Sequence, residues 1–226
     1  MPLQQAFGVG QESGSGEKMS AQAEAEAESA VNYSFRLRRP AFMENISMSA
    51  AEKGTVSHLL MQHVPLGTAV DEEVLKRTLD DMVNRQILTN KQALAIDVSS
   101  AAAFFGSELG QRLQSAKWVR REVPFSSRVP ANRVYPNADA SLSEEPILIQ
   151  GVIDCLFEDQ RGIVLVDYKT DRIYKKNWTS AADRHRFQLL LYAEAIESIL
   201  HRKVDECHVF FFDGGQSVEL FNTKDE

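Results

Sequence analysis

Residues 151 to 171 read GVIDCLFEDQRGIVLVDYKTD, two apolar runs joined by a polar turn, and each run carries one aspartate. No other stretch restricts the fold as much. Runs this dense in Val, Ile, Leu and Phe suit strands packed on both faces, where a lone carboxylate is costly. With residues 159–162 as the loop, its midpoint falls between Gln160 and Arg161, and an antiparallel register sets Asp154 opposite Asp167. Directly opposed residues have Cβ atoms about 4.5–5.5 Å apart. Strand side chains alternate, so Lys169 shares a face with Asp167, and Val164, Val166 and Tyr168 point the other way into packing.

Two carboxylates that close repel each other, and burial worsens the repulsion. A protonated aspartate, an arginine partner or a solvated face would relieve it. A bound divalent cation would relieve it too, because carboxylate oxygens suit Mg²⁺ or Mn²⁺. An Asp–Lys surface ion pair accounts for Lys169 alone. Taken together, the two acids and the amine predict a metal that polarises a phosphate oxygen and lowers the pKa of a water. The ammonium of Lys169 would orient that water or offset charge on the phosphate.

The rest of the chain frames this hairpin. Residues 1–40 are rich in Ser, Gly, Ala, Gln and Glu and read as a flexible linker or tail. GSGEKMS lacks the Gly-Lys-Ser/Thr and the preceding strand of a phosphate-binding loop. From residue 41 to 116 the pattern is mainly helical. SMSAAEKGTVSHLLMQHV spaces Val56, Leu59, Leu60 and Val64 on one face, and DEEVLKRTLDDMVNRQIL repeats Val74, Leu75, Leu79, Met82 and Val83. SSAAAFFGSELGQRL suggests a third helix capped by Ser99 or Ser100.

From 117 to 226 the pattern suits a catalytic sheet and helix. KWVRREVPFS reads as a strand, followed by a loop from about 127 to 146. After the hairpin comes a helix, DRHRFQLLLYAEAIESILHR, with Leu191, Tyr192, Ala195, Ile196 and Ile199 on one side, then a last strand, CHVFFF, and the turn DGG. The order predicts an α/β fold, a mixed β-sheet flanked by helices, with an N-terminal helical segment.

The wording of these segments resembles the PD-(D/E)XK nuclease superfamily, whose pattern is an aspartate followed, on the next strand, by Asp-x-Lys. GVIDCLFEDQRGIVLVDYKTD looks like the RecB-type motif, in which a Gly-x-x-Asp strand leads into Asp-Tyr-Lys-Thr. FQLLLYAEAIE resembles the following helix with its Gln-x-x-x-Tyr, AEKGTVSHLLMQHV the Gly-Thr-x-x-His helix, and REVPFS the strand after it. The likeness runs from about residue 40 to 226 and is strongest to AddA-type helicase–nucleases.

The resemblance implies a restriction-endonuclease-like fold and a Mg²⁺-dependent deoxyribonuclease, with Mn²⁺ as a substitute. His58, Asp154, Asp167 and the backbone carbonyl of Tyr168 would bind the metal. Lys169 would be the catalytic lysine, Gln188 and Tyr192 would place the substrate or the lysine, and Glu122 is a weaker candidate. Taken without the resemblance, His58 reads first as a core histidine and Gln188 and Tyr192 as packing residues, while Glu122 reads equally as half of a surface ion pair. The implied partners are a single-stranded DNA end, the helicase part of AddA and an AddB-type subunit. No Walker A motif precedes the site, so unwinding is expected to reside elsewhere. AddB-type relatives hold an iron–sulfur cluster with four cysteines; Cys155 and Cys207 are two, so no cluster is expected here.

Composition narrows the readings further. A net charge of −7 disfavours a generally basic nucleic-acid coat protein but leaves room for a local basic channel. Arg112, Lys117, Arg120, Arg121, Arg128 and Arg133 form one basic group, and Arg172, Lys175, Lys176, Arg184 and Arg186 form another directly after the catalytic strand. The second is the better place for a DNA backbone, with Tyr174 and Trp178 either stacking on bases or anchoring the loop. No secretory signal or membrane-spanning run is visible, which suggests a cytoplasmic protein with two reduced thiols. Two readings outside the active nuclease remain: a nuclease-fold module that binds DNA or a partner without turnover, and a cation-binding domain that would have no need of Lys169.

Overall fold

The computed structural model describes residues 48–135, 139 and 141–222. The tail assigned to residues 1–40 lies outside them. The described chain begins with helices: α1 (Ala50–His63), α2 (Glu72–Asn84), α3 (Asn90–Leu94), α4 (Val98–Gly106) and α5 (Glu108–Gln114). The long hairpin β1 (Trp118–Pro130) and β2 (Pro146–Glu158) follows, interrupted by the single turn α6 (Ala131–Val134), and then β3 (Ile163–Lys169). A 3₁₀ turn (Tyr174–Lys176), α7 (Trp178–Asp183), α8 (Arg186–Leu200), β4 (Glu206–Phe211) and β5 (Gln216–Asn222) complete it. No helix among the described residues is long and apolar enough to cross a membrane.

The five strands form one sheet in the order β1-β2-β3-β4-β5. All neighbours are antiparallel except β3 and β4, which run parallel because α8 carries the chain back across one face. The continuous apolar run of β3 is explained by two cores. On one face Val164, Val166 and Tyr168 pack with Val56 and Leu60 of α1, Leu75, Leu79 and Met82 of α2, and Phe104 of α4. On the other, Ile163 and Leu165 pack with Ala181 and Ala182 of α7 and Leu189, Ala193 and Ile196 of α8. Cys155 belongs to the first core and Cys207 to the second, so both thiols are free and buried on opposite faces of the sheet.

Local chemistry sets the helix boundaries, and several differ from the sequence reading. The third helix is two: Ser107 adopts an extended backbone and its hydroxyl accepts from the amide of Gly110, ending α4 and capping α5. The N-cap of α4 is Asp97, not Ser99 or Ser100, because its carboxylate accepts from both of their amides and satisfies two orphan donors at once. The expected loop from 127 is strand as far as Pro130, which pairs with Pro146. Ile199 is half exposed rather than on the buried side of α8. The edge strand β5 has no counterpart in the sequence reading; only Leu220 of its seven residues is buried, so it lacks a clear alternation.

One irregularity of the sheet sets two acids in place. Along β1 and β2, Val119, Cys155 and Phe157 face the α1 side, whereas Val123, Phe125, Ile149 and Ile153 face the α8 side. Odd-numbered residues therefore change faces at Glu122 and Asp154. Glu122 has φ 52°, and the ladder skips it between Arg121↔Cys155 and Val123↔Ile153. A strand can reverse its alternation only through such a break. Both acids are left at the switch point.

Candidate active site

Each acid of the hairpin is held differently. The β2–β3 ladder follows the expected register but ends at Cys155↔Val166, one pair short of Asp154 and Asp167. Beyond that pair a side chain takes over from the backbone: Asp154 Oδ2 accepts the Tyr168 amide at 2.7 Å. This bond aims the other oxygen, Oδ1, at His58 Nδ1, 3.2 Å away.

His58 reaches that position from α1. A capping box between Ser49 and Glu52 starts the helix, and Arg121 of β1 closes its other end by donating to the carbonyls of Met61 and Val64. Helix and strand are thus tied one residue away from Glu122. Gly54, one turn before His58, lets α1 approach the end of β3; a Cβ there would sit 3.0 Å from Thr170 Oγ1. The glycine of the Gly-Thr-x-x-His segment thus has a steric reason.

Ligand atoms of His58, Glu122 and Asp154 all lie within 4.8 Å of one another. A cleft of about 310 Å³ lined by Gly54, Thr55, His58, Leu59, Gln62 and Glu122 opens onto two of the three, His58 and Glu122. Burial alone lowers the His58 pKa, but the Asp154 hydrogen bond and charge, backed by Glu122 and Asp167, outweigh it and raise it. Burial raises the Glu122 carboxyl, the nearby Asp154 charge raises it further, and His58 offsets part of this.

Asp167 lies outside that trio, on the α8 face with Lys169. Lys169 Nζ is 2.8 Å from Asp167 Oδ2, an ion pair by distance but not aligned as a hydrogen bond. Oδ2 is consequently buried with no hydrogen-bond partner. Burial, with Asp154 adding to it, pushes the Asp167 carboxyl up to about 6 despite Lys169 and His58. Gln188 Nε2 donates to the Tyr192 hydroxyl at 2.9 Å, and the Tyr192 ring packs edge-on to Phe125 with centroids 4.9 Å apart. Gly151 of β2 admits that hydroxyl, since a Cβ there would come within 2.9 Å of it. Among the described residues this pair makes no hydrogen bond to Asp167 or Lys169.

A divalent cation fits these residues. The carboxylate oxygens of Glu122, Asp154 and Asp167 are hard donors, one of them on Asp167 without a hydrogen-bond partner, and His58 adds an imidazole nitrogen. Glu206, His208 and Glu219 also bring ligand atoms within 4.8 Å of one another. There the place is taken: Arg112 donates to both Glu206 oxygens, at 2.7 and 3.0 Å. The larger cleft, about 440 Å³, lies beside that second group, so size does not mark the site.

The first basic group of the sequence is mostly structural. Arg112 is held, partly buried, between Asp159 and Glu206, Lys117 pairs with Glu158, Arg121 caps α1, and Arg133 pairs with Glu194. Trp178 is an anchor, donating from Nε1 to the Asp213 carbonyl.

A family model described as the PD-(D/E)XK nuclease superfamily matches residues 24–220. The chain belongs to the PD-(D/E)XK nuclease superfamily. It is 43% identical over 185 residues to the A subunit of the ATP-dependent helicase/nuclease of Bacillus licheniformis, covering 79% of this chain and 15% of that protein. The protein of the same name from Moorella thermoacetica is 44% identical over 182 residues, 79% of this chain and 13% of the relative. For Bacillus velezensis the figures are 43% over 190 residues, 81% and 15%. As a PD-(D/E)XK domain, the chain spans about one seventh of these relatives' length. The mixed sheet flanked by helices agrees with the superfamily fold expected from the sequence.

Proposed function

We propose that this chain is a divalent-metal-dependent DNA nuclease domain, hydrolysing phosphodiesters of single-stranded ends exonucleolytically. Its larger setting would be an ATP-dependent helicase–nuclease that prepares double-strand breaks for recombinational repair. The partners there would be a helicase part and an AddB-type subunit. The observation that carries the reading is Asp167 Oδ2, buried, without a hydrogen-bond partner and beside Lys169. Structural carboxylates are normally satisfied when buried, and one left short of partners points to a ligand.

In this reading His58, Asp154, Asp167 and the Tyr168 carbonyl hold Mg²⁺ or Mn²⁺, and Glu122 joins them from β1. When bound, the cation polarises the scissile phosphate and the attacking water. Asp154 is pre-aimed by the Tyr168 amide, so its geometry needs no reorganisation. Lys169 donates from Nζ to the attacking water or to a phosphate oxygen. Gln188 and Tyr192 act as a pair, braced on Phe125, that places substrate or lysine on the α8 face. Cys155 and Cys207 take no part; burial pushes the Cys155 thiol up to about 12.

The test is cleavage of end-labelled single-stranded DNA in Mg²⁺ by the parent chain, Asp167→Ala and Lys169→Ala. Cleavage by the parent and not by either variant supports the assignment. Equal cleavage by all three removes it, and retention of DNA without cleavage favours a binding module.

A further inference from the structure

Five non-glycine residues among those described have left-handed backbones: Gln86, Glu122, Lys175, Lys176 and His201. Gln86 and His201 lie at the C-terminal ends of α2 and α8, where such a residue commonly closes a helix. Glu122 is at the strand switch of the active site. Lys175 (φ 54°) and Lys176 (φ 56°) have no comparable role in ending a long helix. Backbone held in that region by side chains with a Cβ is costly, and it persists where the surroundings enforce it.

Here they do. The turn is fastened at both ends to the loop between β4 and β5: the Ile173 amide donates to Asp213 Oδ2 at 2.6 Å, and Trp178 Nε1 donates to the Asp213 carbonyl at 3.1 Å. Gly214, with φ 86°, lies against the indole, where a Cβ would come within 2.9 Å. Ile173 and Trp178 pack against the α8-side core. Between those anchors Tyr174 is 80% exposed, and Lys175 Nζ sits 5.2 Å from its ring centroid.

The charges nearby are less engaged than most of the other basic group. Asp171 faces His185 and Asp183 pairs with Arg186, and no carboxylate among the described residues pairs with Arg172, Lys175, Lys176 or Arg184. Tyr174 is five residues beyond Lys169, at most about 18 Å along an extended chain, a span of a few nucleotides.

We propose that the 173–178 turn is a preformed platform for single-stranded nucleic acid, with Tyr174 stacking on an unpaired base within a few nucleotides of the cleaved linkage and Arg172, Lys175 and Lys176 holding the flanking phosphates. An aromatic face accepts any base that is already unstacked, and a base inside a duplex is not available to it. The platform therefore selects an open strand over a duplex at the same site. The nuclease reading above enters only in locating the cleaved linkage.

The test is fluorescence anisotropy of a labelled single-stranded oligonucleotide and a blunt duplex in Ca²⁺, read for the parent, Tyr174→Ala, Tyr174→Phe and Lys175→Gly. Tyr174→Ala is expected to raise the single-strand Kd about 5- to 100-fold, and Tyr174→Phe to stay within about twofold of the parent, with duplex Kd unmoved in both. Lys175→Gly keeps the left-handed backbone without strain and lowers the salt slope of single-strand binding by about 0.7. A Tyr174→Ala Kd within twofold of the parent overturns the platform, as does an equal loss on duplex. Hydrolysis of bis(p-nitrophenyl) phosphate by the parent in Mn²⁺ is measured separately. Its presence with an unmoved Kd leaves the nuclease and removes the platform; its absence with the expected Kd shift does the reverse.

Discussion

Two polar clusters, one largely buried and one with only Asp167 buried, sit at opposite ends of β3 and use nearly the same side chains. At one end Arg112 donates to Asp159 at 2.7 Å and to both oxygens of Glu206, while His208 Nε2 lies 3.0 Å from Glu206 Oε2 and the Arg161 amide fills Asp159 Oδ1. At the other end Asp154, Asp167 and Glu122 face one histidine and one lysine, and Asp167 Oδ2 has no hydrogen-bond partner. The carboxyls report the difference. The His208 hydrogen bond and the Arg112 fork overcome burial and hold Glu206 down to about 2. Burial and Asp154 push Asp167 up to about 6. A planar guanidinium with five donors satisfies two carboxylates from within the fold. A single ammonium does not, and Asp167 Oδ2 is left without a hydrogen-bond partner although Lys169 Nζ lies 2.8 Å away.

The largest effect expected from breaking this contrast is on turnover. Asp167→Asn should lower kcat/KM on single-stranded DNA by about 10³-fold, the several kcal/mol a metal contributes, while urea melts show stability unchanged or raised. Loss of stability in that variant would mean that Asp167 is a structural acid like Glu206. Next in size, Arg112→Ala should destabilise the fold by about 3–5 kcal/mol, because two buried carboxylates lose their counter-charge. A change below about 1 kcal/mol in the same melts would make the two clusters equivalent.

Ligand linkage sharpens the comparison. Mg²⁺ at a hundred times its Kd should stabilise the parent by about 2.7 kcal/mol, and calorimetry should find no such gain in Asp154→Asn. The smallest effect is with pH. Glu206 protonates near 4.5 when free and near 2 in the fold, so below 4.5 the unfolded chain takes up the proton first. Its contribution is whole above about 4.5 and is lost as pH falls towards 2, at no more than about 1.4 kcal/mol per unit. Acid titration of Glu206→Gln should show a shallower fall over that window.

Much of the architecture was legible in one sequence. The apolar rows of α1 and α2 and the unbroken run of β3 announce their packing, and the hairpin register follows from the position of its loop. The weaker features escaped for local reasons. β5 buries one leucine and so carries no period, and Asp97 rather than a serine caps α4 because one carboxylate reaches two amides. Arg112 and Arg121 read as surface charge until the acids and carbonyls that receive them are seen 47 and 57 or more positions away.

The sequence by itself determined which residues meet across β2 and β3, since covalent spacing and strand alternation leave one register with its apolar side chains inward. It also placed Asp167 and Lys169 on one face and Gln188 one turn from Tyr192. Only the tertiary structure decided that the ladder stops one pair before the aspartates, that Glu122 turns in beside His58 and Asp154, and that one buried acid cluster is filled by arginine while the other is left short. Those outcomes depend on which distant donor arrives at each carboxylate, and that is set by how helices and loops pack on the sheet rather than by spacing along the chain.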